Sequence, residues 1–303
     1  MTHEIPGFTL HNWVQHWNQS LMPGHVQQFR SVGENTFILK IRTQTGNKQL
    51  LIALPSTITE STHQWKKLDE QSPIVNATKK IIENLYLTNV QQEGLDRIIY
   101  LQGDNANIVI ELFGGGNVLV TDKQNKILFV HHAREWKGRT LKMNAEYKPP
   151  VGPRPWNELP EKISEAVERD SFQTVGGWMV SRLGVPVTLV EEACTIVKRN
   201  QRDDKALTQK DWSALRKYLS TLYEAKHMQY EIVNHAKGTS IVPANNKSEQ
   251  PMTLEQTFAC VEEELIQSQG KPKVNTKTES ERQALLVNLE RQQGQIKAWE
   301  KEA

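Results

Sequence analysis

At 303 residues the chain is long enough for two domains, and 37% hydrophobic against 24% charged residues supplies a core and excludes wholesale disorder. Thirty-seven Lys and Arg against 35 Asp and Glu leave a net charge of +2, too mild a sum to name nucleic acid as a partner. The longest apolar runs, Leu50 to Leu54 and Ile127 to Val130, fall far short of the roughly 18 residues of a membrane helix.

The first helix is predicted from Thr9 to Met22, where Leu10, Trp13, Val14, Trp17 and Leu21 recur at helical spacing before Pro23-Gly24. The first twenty residues carry neither the basic region nor the apolar stretch of a secretion signal, so the expected location is the cytoplasm. Two strand-like runs, Thr36 to Ile41 and Gln49 to Leu54, follow around Thr45-Gly46-Asn47 and read as a hairpin. Ser72-Pro73 offers an N-cap and a first-turn proline for a second helix, with Ile74, Thr78, Ile81, Ile82 and Leu85 on one face. From Arg97 to His132 four strand-like runs alternate with turn signals at residues 103–105, 114–116 and 122–126, an antiparallel meander.

The proline-rich stretch Pro149 to Pro155 marks a boundary, and beyond it helix signals replace strand composition. Helices are expected over Phe172 to Leu183 and Thr188 to Arg199, a third after Thr208 with Asp211 in its first turn, and a fourth opened by the capping box Thr253-Leu-Glu-Gln256. Lys237 to Gln250 is polar and reads as a linker. Leu285, Leu289, Ile296 and Trp299 then form an a/d seam of barely two heptads before Ala303, read as the beginning of a longer coiled-coil arm. The predicted fold class is α+β: an antiparallel-sheet domain with two helices over residues 1–160, an all-α domain over 170–270, and the start of a coiled coil over 276–303.

Charge is uneven. Residues 1–150 hold 16 Lys and Arg against 13 Asp and Glu, a net of +3, and residues 131–148 alone hold 5 against 2, the same +3. Within that segment Arg134-Glu-Trp136-Lys137-Gly-Arg139, with Lys142 just beyond, interleaves a stacking ring with cations, as an RNA surface requires; an ordinary solvated loop has the same composition. The adjacent His131 and His132 would point to opposite faces of a strand, which prevents joint metal binding. Gly114 to Gly116 is followed by no Gly-Lys-Ser/Thr and is flanked by strands, so no helix N-terminus is aimed at an anion. Cys194 and Cys260 have no metal-ligand spacing, no catalytic Ser/His/Asp or Cys/His set can be assembled, and no cofactor is expected.

Gly94-Leu-Asp96-Arg97-Ile98, together with Ile110-Glu-Leu-Phe-Gly-Gly-Gly-Asn-Val-Leu-Val-Thr-Asp122, resembles the NFACT family of ribosome quality-control factors. Thr36 to Lys40, Tyr147-Lys-Pro-Pro150 and Leu183-Gly-Val-Pro-Val187 agree, the last resembling a helix-hairpin-helix turn. The resemblance implies an adaptor, not an enzyme, that binds the large ribosomal subunit holding a stalled nascent chain on tRNA, recruits tRNA, and can support template-free C-terminal tailing by the ribosome. It assigns tRNA engagement to the positions of Asp96 and Arg97. An acidic first-helix residue of the family corresponds here to His11 or Asn12, neither acidic, which bears against tailing. The sheet domain of the family is also similar to that of formamidopyrimidine DNA glycosylases, but their N-terminal Pro-Glu is replaced by Met1-Thr2-His3-Glu4, and two distant cysteines make no zinc finger.

Overall fold

In the computed structural model, residues 3–136, 138–150, 159, 161, 174–203, 207–223, 228–235, 238–244 and 248–269 are described. Helix α1 (Gly7–Ser20) follows Pro6. Its Leu10, Trp13, Val14 and Trp17 are buried, as is Leu21 just past its end, the stripe that the spacing of 3 and 4 predicts. Each such side chain contributes about 1.5–3 kcal/mol on burial, so this helix holds its place through its apolar face.

Nine strands form one antiparallel sheet: β1 (Gly24–Gly33), β2 (Thr36–Thr43), β3 (Gly46–Ala53), β4 (Thr57–Glu60), β5 (Tyr86–Gln92), β6 (Ile98–Gly103), β7 (Asn107–Glu111), β8 (Asn117–Thr121) and β9 (Ile127–Val130). Their order is β4-β3-β2-β1-β5-β6-β7-β8-β9. The predicted hairpin is β2–β3, paired from Thr36 with Ala53 to Thr43 with Gly46, and the predicted meander is β6 to β9. Helix α2 (Pro73–Ile82) crosses from β4 to β5, and β5 meets β1 only where Gly24 faces Leu87 and His25 faces Tyr86. The sheet is therefore two meanders joined at a short seam. It curls until Gly116 of the β7–β8 turn backs onto Leu54-Pro55 and His131 reaches Asn35.

Two local expectations change. Pro73 opens α2, but the Ser72 hydroxyl makes no cap bond; the Ser72 amide instead donates to Ser31 Oγ at 3.1 Å, which ties the helix start to β1. Past the meander the basic segment folds into a small hairpin, β10 (Arg134–Trp136) and β11 (Arg139–Leu141). Leu141 and Tyr147 close over Ile98, Val109, Leu119 and Ile127 on one face of the sheet.

Helices α3 (Val175–Leu183) and α4 (Val187–Ile196) are joined by Gly184 to Pro186, with Gly184 at φ 64, the left-handed region that favours glycine at a helix end. In α5 (Gln209–Tyr223) the Thr208 hydroxyl accepts from the Asp211 amide at 3.2 Å while Asp211 accepts from the Thr208 amide at 2.9 Å, a reciprocal cap. Trp178, Met179, Leu183, Leu189, Trp212, Leu215, Leu219 and Tyr223 make one apolar cluster that also takes in Phe8 of α1 and Leu95 of the β5–β6 turn. The helical layer thus lies against one particular turn of the sheet region.

The expectation of an all-α segment beyond residue 170 is corrected by a β-hairpin, β12 (Tyr230–His235) with β13 (Gly238–Pro243), part of which reads as polar linker in the sequence. The β-branched residues Ile232, Val233, Thr239, Ile241 and Val242 suit a pleated ladder. Glu4 extends that ladder, donating its amide to the Thr239 carbonyl at 2.8 Å and accepting from the Ile241 amide at 3.0 Å. Helix α6 (Leu254–Gln269) starts with the expected capping box, Thr253 amide to Gln256 Oε1 at 2.8 Å and Gln256 amide to Thr253 Oγ1 at 3.3 Å. Its Glu262 accepts from the Thr62 and His63 amides, each at 3.0 Å, and from the Ser61 hydroxyl. Met1–Leu265 forms one compact unit and Ile266–Ala303 another. The coiled-coil seam and most of the proline-rich boundary lie outside the described residues.

Candidate nucleic-acid interface

Asp96 and Arg97 sit in the turn between β5 and β6, where Gly94 takes φ 53 and the Asp96 amide donates to the Glu93 carbonyl at 2.9 Å. Asp96 Oδ1 accepts from the Arg97 amide at 2.7 Å, and the Leu112 amide, just past β7, donates to the Arg97 carbonyl at 2.8 Å, so both backbone units are fixed. The Arg97 guanidinium forms an ion pair with Glu4. Because Glu4 belongs to the β13 ladder, Arg97 is held between the sheet and the second hairpin.

Gln92, which sequence reasoning did not single out, joins this turn to α1. Its amide nitrogen donates to the Gly7 carbonyl at 2.7 Å and to the Asp96 carbonyl at 2.8 Å. Nothing but its place at the end of a strand before the turn could have flagged it. His11, one turn into α1, meets the Tyr223 ring edge-on at 5.4 Å and hydrogen-bonds Gln15 across 2.9 Å. Burial lowers the His11 imidazole pKa, and a hydrogen bond with Gln92 partly restores it. His11, Asp96 and Arg97, far apart in sequence, are therefore brought to one junction of α1, the β5–β6 turn and the helical layer. Asn12 is buried there, its amide nitrogen 3.0 Å from Met228 Sδ.

Gly7 permits this junction, since a Cβ there would overlap the Leu95 carbonyl oxygen. Backbone cannot yield as a flexible side chain can, so Gly7→Ala should push α1 off the turn and cost about 1–3 kcal/mol. A thermal melt checks this, and an unchanged midpoint would contradict the close approach.

The basic segment is divided in its roles. Arg139 turns inward: its side chain is 14% exposed and forms an ion pair with Glu111, itself 4% exposed, while Nε donates to the Lys148 carbonyl at 2.7 Å. Glu111 also accepts from the Tyr147 hydroxyl at 2.9 Å, and burial with that neighbouring carboxylate pushes the Tyr147 phenol far above its ordinary range. The expectation that Arg139 offers its fork to RNA is corrected accordingly, because a guanidinium spent on a buried carboxylate is not available to a phosphate. Trp136 stays 45% exposed, with the Arg139 guanidinium 5.5 Å from its ring centroid, and Lys142 is exposed. Lys137 lies outside the described residues. Arg134 is half-buried and lies on Gly115.

His131 and His132 do not diverge as a strand would require. Strand β9 ends at Val130, so alternation no longer governs them; their ring centroids are 3.9 Å apart, and both Nε2 atoms reach Asn35 Oδ1, at 3.1 and 3.2 Å. Burial and the neighbouring ring pull the His131 imidazole down to about 4, and burial with the Arg134 charge lowers that of His132. A lowered histidine means that the unfolded chain binds more protons below its ordinary value near 6.5, so the stability is present above that pH and is lost as pH falls from about 6.5 toward 4. The urea midpoint should be lower at about pH 5 than at about pH 7.5. His131→Asn should reduce the difference; identical midpoints would show that the pair does not desolvate on folding.

A family model described as NFACT N-terminal and middle domains matches residues 6–303. The archaeal Rqc2 homolog aRqcH of Methanocaldococcus jannaschii is 26% identical over 223 residues, 69% of this chain and 32% of that protein. The ribosome quality control complex subunit NEMF homolog of Drosophila melanogaster is 30% identical over 139 residues, 44% of this chain and 14% of that protein. The chain thus spans a third or less of the length of these relatives. Among solved structures, the N-terminal part of the fibronectin/fibrinogen-binding protein of Streptococcus suis superposes with a TM-score of 0.66 at 16% identity, covering 87% of this chain and 99% of that one. The N-terminal domain of the fibronectin-binding protein PavA of Streptococcus pneumoniae gives 0.55 at 20% identity, covering 84% and 96%. At such identities the likeness is one of fold. Among the described residues no helix is long and apolar enough to cross a membrane, and no group of three or more His, Cys, Asp or Glu is placed to hold a metal.

Proposed function

The chain belongs to the NFACT family, and from that premise we propose that it serves in ribosome quality control, as an adaptor that binds the large ribosomal subunit holding stalled peptidyl-tRNA and recruits tRNA to it. The observation that carries the reading is the β5–β6 turn: Asp96 and Arg97 are fixed by backbone hydrogen bonds and docked on α1 beside His11. A pair serving only as a solvated turn has no need of such anchoring. Arg97 supplies a planar fork for phosphate or a base edge, and its ion pair with the partly exposed Glu4 is of the kind that exchanges readily for a phosphate. Asp96, occupied on one oxygen by the Arg97 amide, keeps the other as an acceptor for an exocyclic amine or ribose hydroxyl. Exposed Trp136 and Lys142 offer a stacking surface and a cation nearer the sheet edge.

Peptidyl transfer in this reading belongs to the ribosome, so the chain acts by binding and needs no catalytic residue. Tailing is not part of the proposal, because His11 and Asn12 place no carboxylate in the first helix. Titrating the chain into labelled bulk tRNA tests the binding. Its affinity should fall linearly on a log-log plot as salt rises, by about 0.7–0.9 for each phosphate contacted. Absence of binding at about 50 mM salt would remove the reading.

A further inference from the structure

The histidine pair, Asn35, Arg134 and the Gly114–Gly116 turn meet at one place that the tRNA-recruiting turn does not use. Arg134 leaves β10 and lays its guanidinium on the backbone of Gly115, so closely that a Cβ there would overlap Nη2. Among the described residues that guanidinium has no carboxylate partner, unlike Arg97 with Glu4 and Arg139 with Glu111. A half-buried cation left without a counter-ion is an uncommon arrangement, since desolvating charge is costly unless it is paired. Beside it stand two imidazoles whose Nε2 atoms both approach Asn35 Oδ1, at 3.1 and 3.2 Å. Asn117 fixes the backbone that carries them, its side chain donating to the His132 carbonyl at 2.8 Å and accepting from the His132 amide at 3.0 Å.

We propose that Arg134, His131 and His132, on the platform of Gly115, form a second contact for an RNA phosphate, with the histidine pair taking up a proton as the phosphate docks. This rests on the RNA-binding reading above and adds a site and a regulation to it. If each ring donates Nε2–H to Asn35, each can accept a second proton on Nδ1 without breaking that bond. The pair resists protonation when the site is empty, because its environment is desolvated and Arg134 repels a second charge on His132, although the Glu34 carboxylate acts the other way. The Phe37 ring, perpendicular to that of His131 with centroids 5.1 Å apart, adds apolar surface and no charge. A phosphate anion cancels the Arg134 charge and reverses the balance, so that binding and protonation favour each other. A metal cation in the same place would meet the repulsion of the Arg134 charge, and the anion is favoured for that reason.

The test uses the 303-residue chain, labelled bulk tRNA and inorganic phosphate. Wild-type affinity for tRNA should rise at least about threefold between pH 7.5 and 6, within the tenfold per pH unit that one linked proton allows. His131→Asn with His132→Asn should remove that rise. Arg134→Gln should lower affinity and reduce the salt slope by about one contact. Gly115→Ala, which displaces the end of a flexible side chain and keeps its charge, should weaken tRNA binding without moving the thermal midpoint. If tRNA binds but the double histidine variant keeps the wild-type pH response, the inference is overturned and the RNA reading stands. If tRNA does not bind at either pH, both fall. Equal perturbation of the histidine NMR signals by inorganic phosphate and by tRNA at the same phosphate concentration would identify a free-anion site and overturn the assignment to RNA.

Discussion

Arg139→Met is expected to destabilise the chain by about 3–5 kcal/mol, the characteristic cost of leaving one member of a buried ion pair uncompensated. Among the described residues Glu111, 4% exposed, would keep only the Tyr147 hydroxyl as a side-chain partner, and a buried carboxylate without its cation is costly. The methionine stem replaces much of the apolar contact that Arg139 makes, so the loss reports charge rather than packing. Combining Arg139→Met with Glu111→Leu should recover most of the loss, because removing both charges also removes their desolvation cost. Urea unfolding of the wild type, both single variants and the double variant completes the cycle. Additive effects of the two substitutions would contradict a buried pair and return Arg139 to the list of RNA contacts.

The same residue shows where sequence ceases to be informative. Composition places Arg139 in a basic stretch with an aromatic neighbour, a pattern shared by RNA surfaces and solvated loops, and the deciding fact is a carboxylate 28 positions upstream on β7. Local patterns translate well: the α1 stripe, the β2–β3 hairpin, the four-strand meander and the caps at Thr208 and Thr253 all depend on residues within a few positions of one another. Strands β1 and β5 escape such reading. Register shifts near Gln28 and Gly33 in β1, and near Asn89 in β5, break the period of two, and Asn89, Gln91 and Gln92 are poor strand formers. The histidine pair is misread because the strand rule extends two residues past Val130, where the strand ends. The meeting of His11 with Asp96 and Arg97 depends on Gln92 and Gly7, long-range contacts that carry no pattern of their own.

Asp96→Ala with Arg97→Ala is the substitution with the largest expected effect on function. Loss of the Asp96 acceptor removes one hydrogen bond at a turn, and loss of the Arg97 guanidinium leaves Glu4 partly exposed and able to hydrate. Each should cost about 1 kcal/mol or less, which for a unit of this size moves the thermal midpoint by only a few degrees. Removing a planar fork and its adjacent acceptor from the proposed RNA contact is a different matter, since no other described side chain at this turn offers a guanidinium. Recruitment of tRNA should fall to background while the fold persists. Gly7→Ala, by contrast, should reduce both together, because it disturbs the docking of the turn itself.

The most direct measurement is co-sedimentation of the chain with large ribosomal subunits carrying stalled peptidyl-tRNA, followed by quantification of the additional tRNA in the pellet. The wild-type chain should pellet with the subunits and bring tRNA with it, and the Asp96→Ala, Arg97→Ala variant should pellet equally well without it. Equal tRNA recovery from wild type and variant, or no association of the wild-type chain with the subunits, would contradict the proposed role.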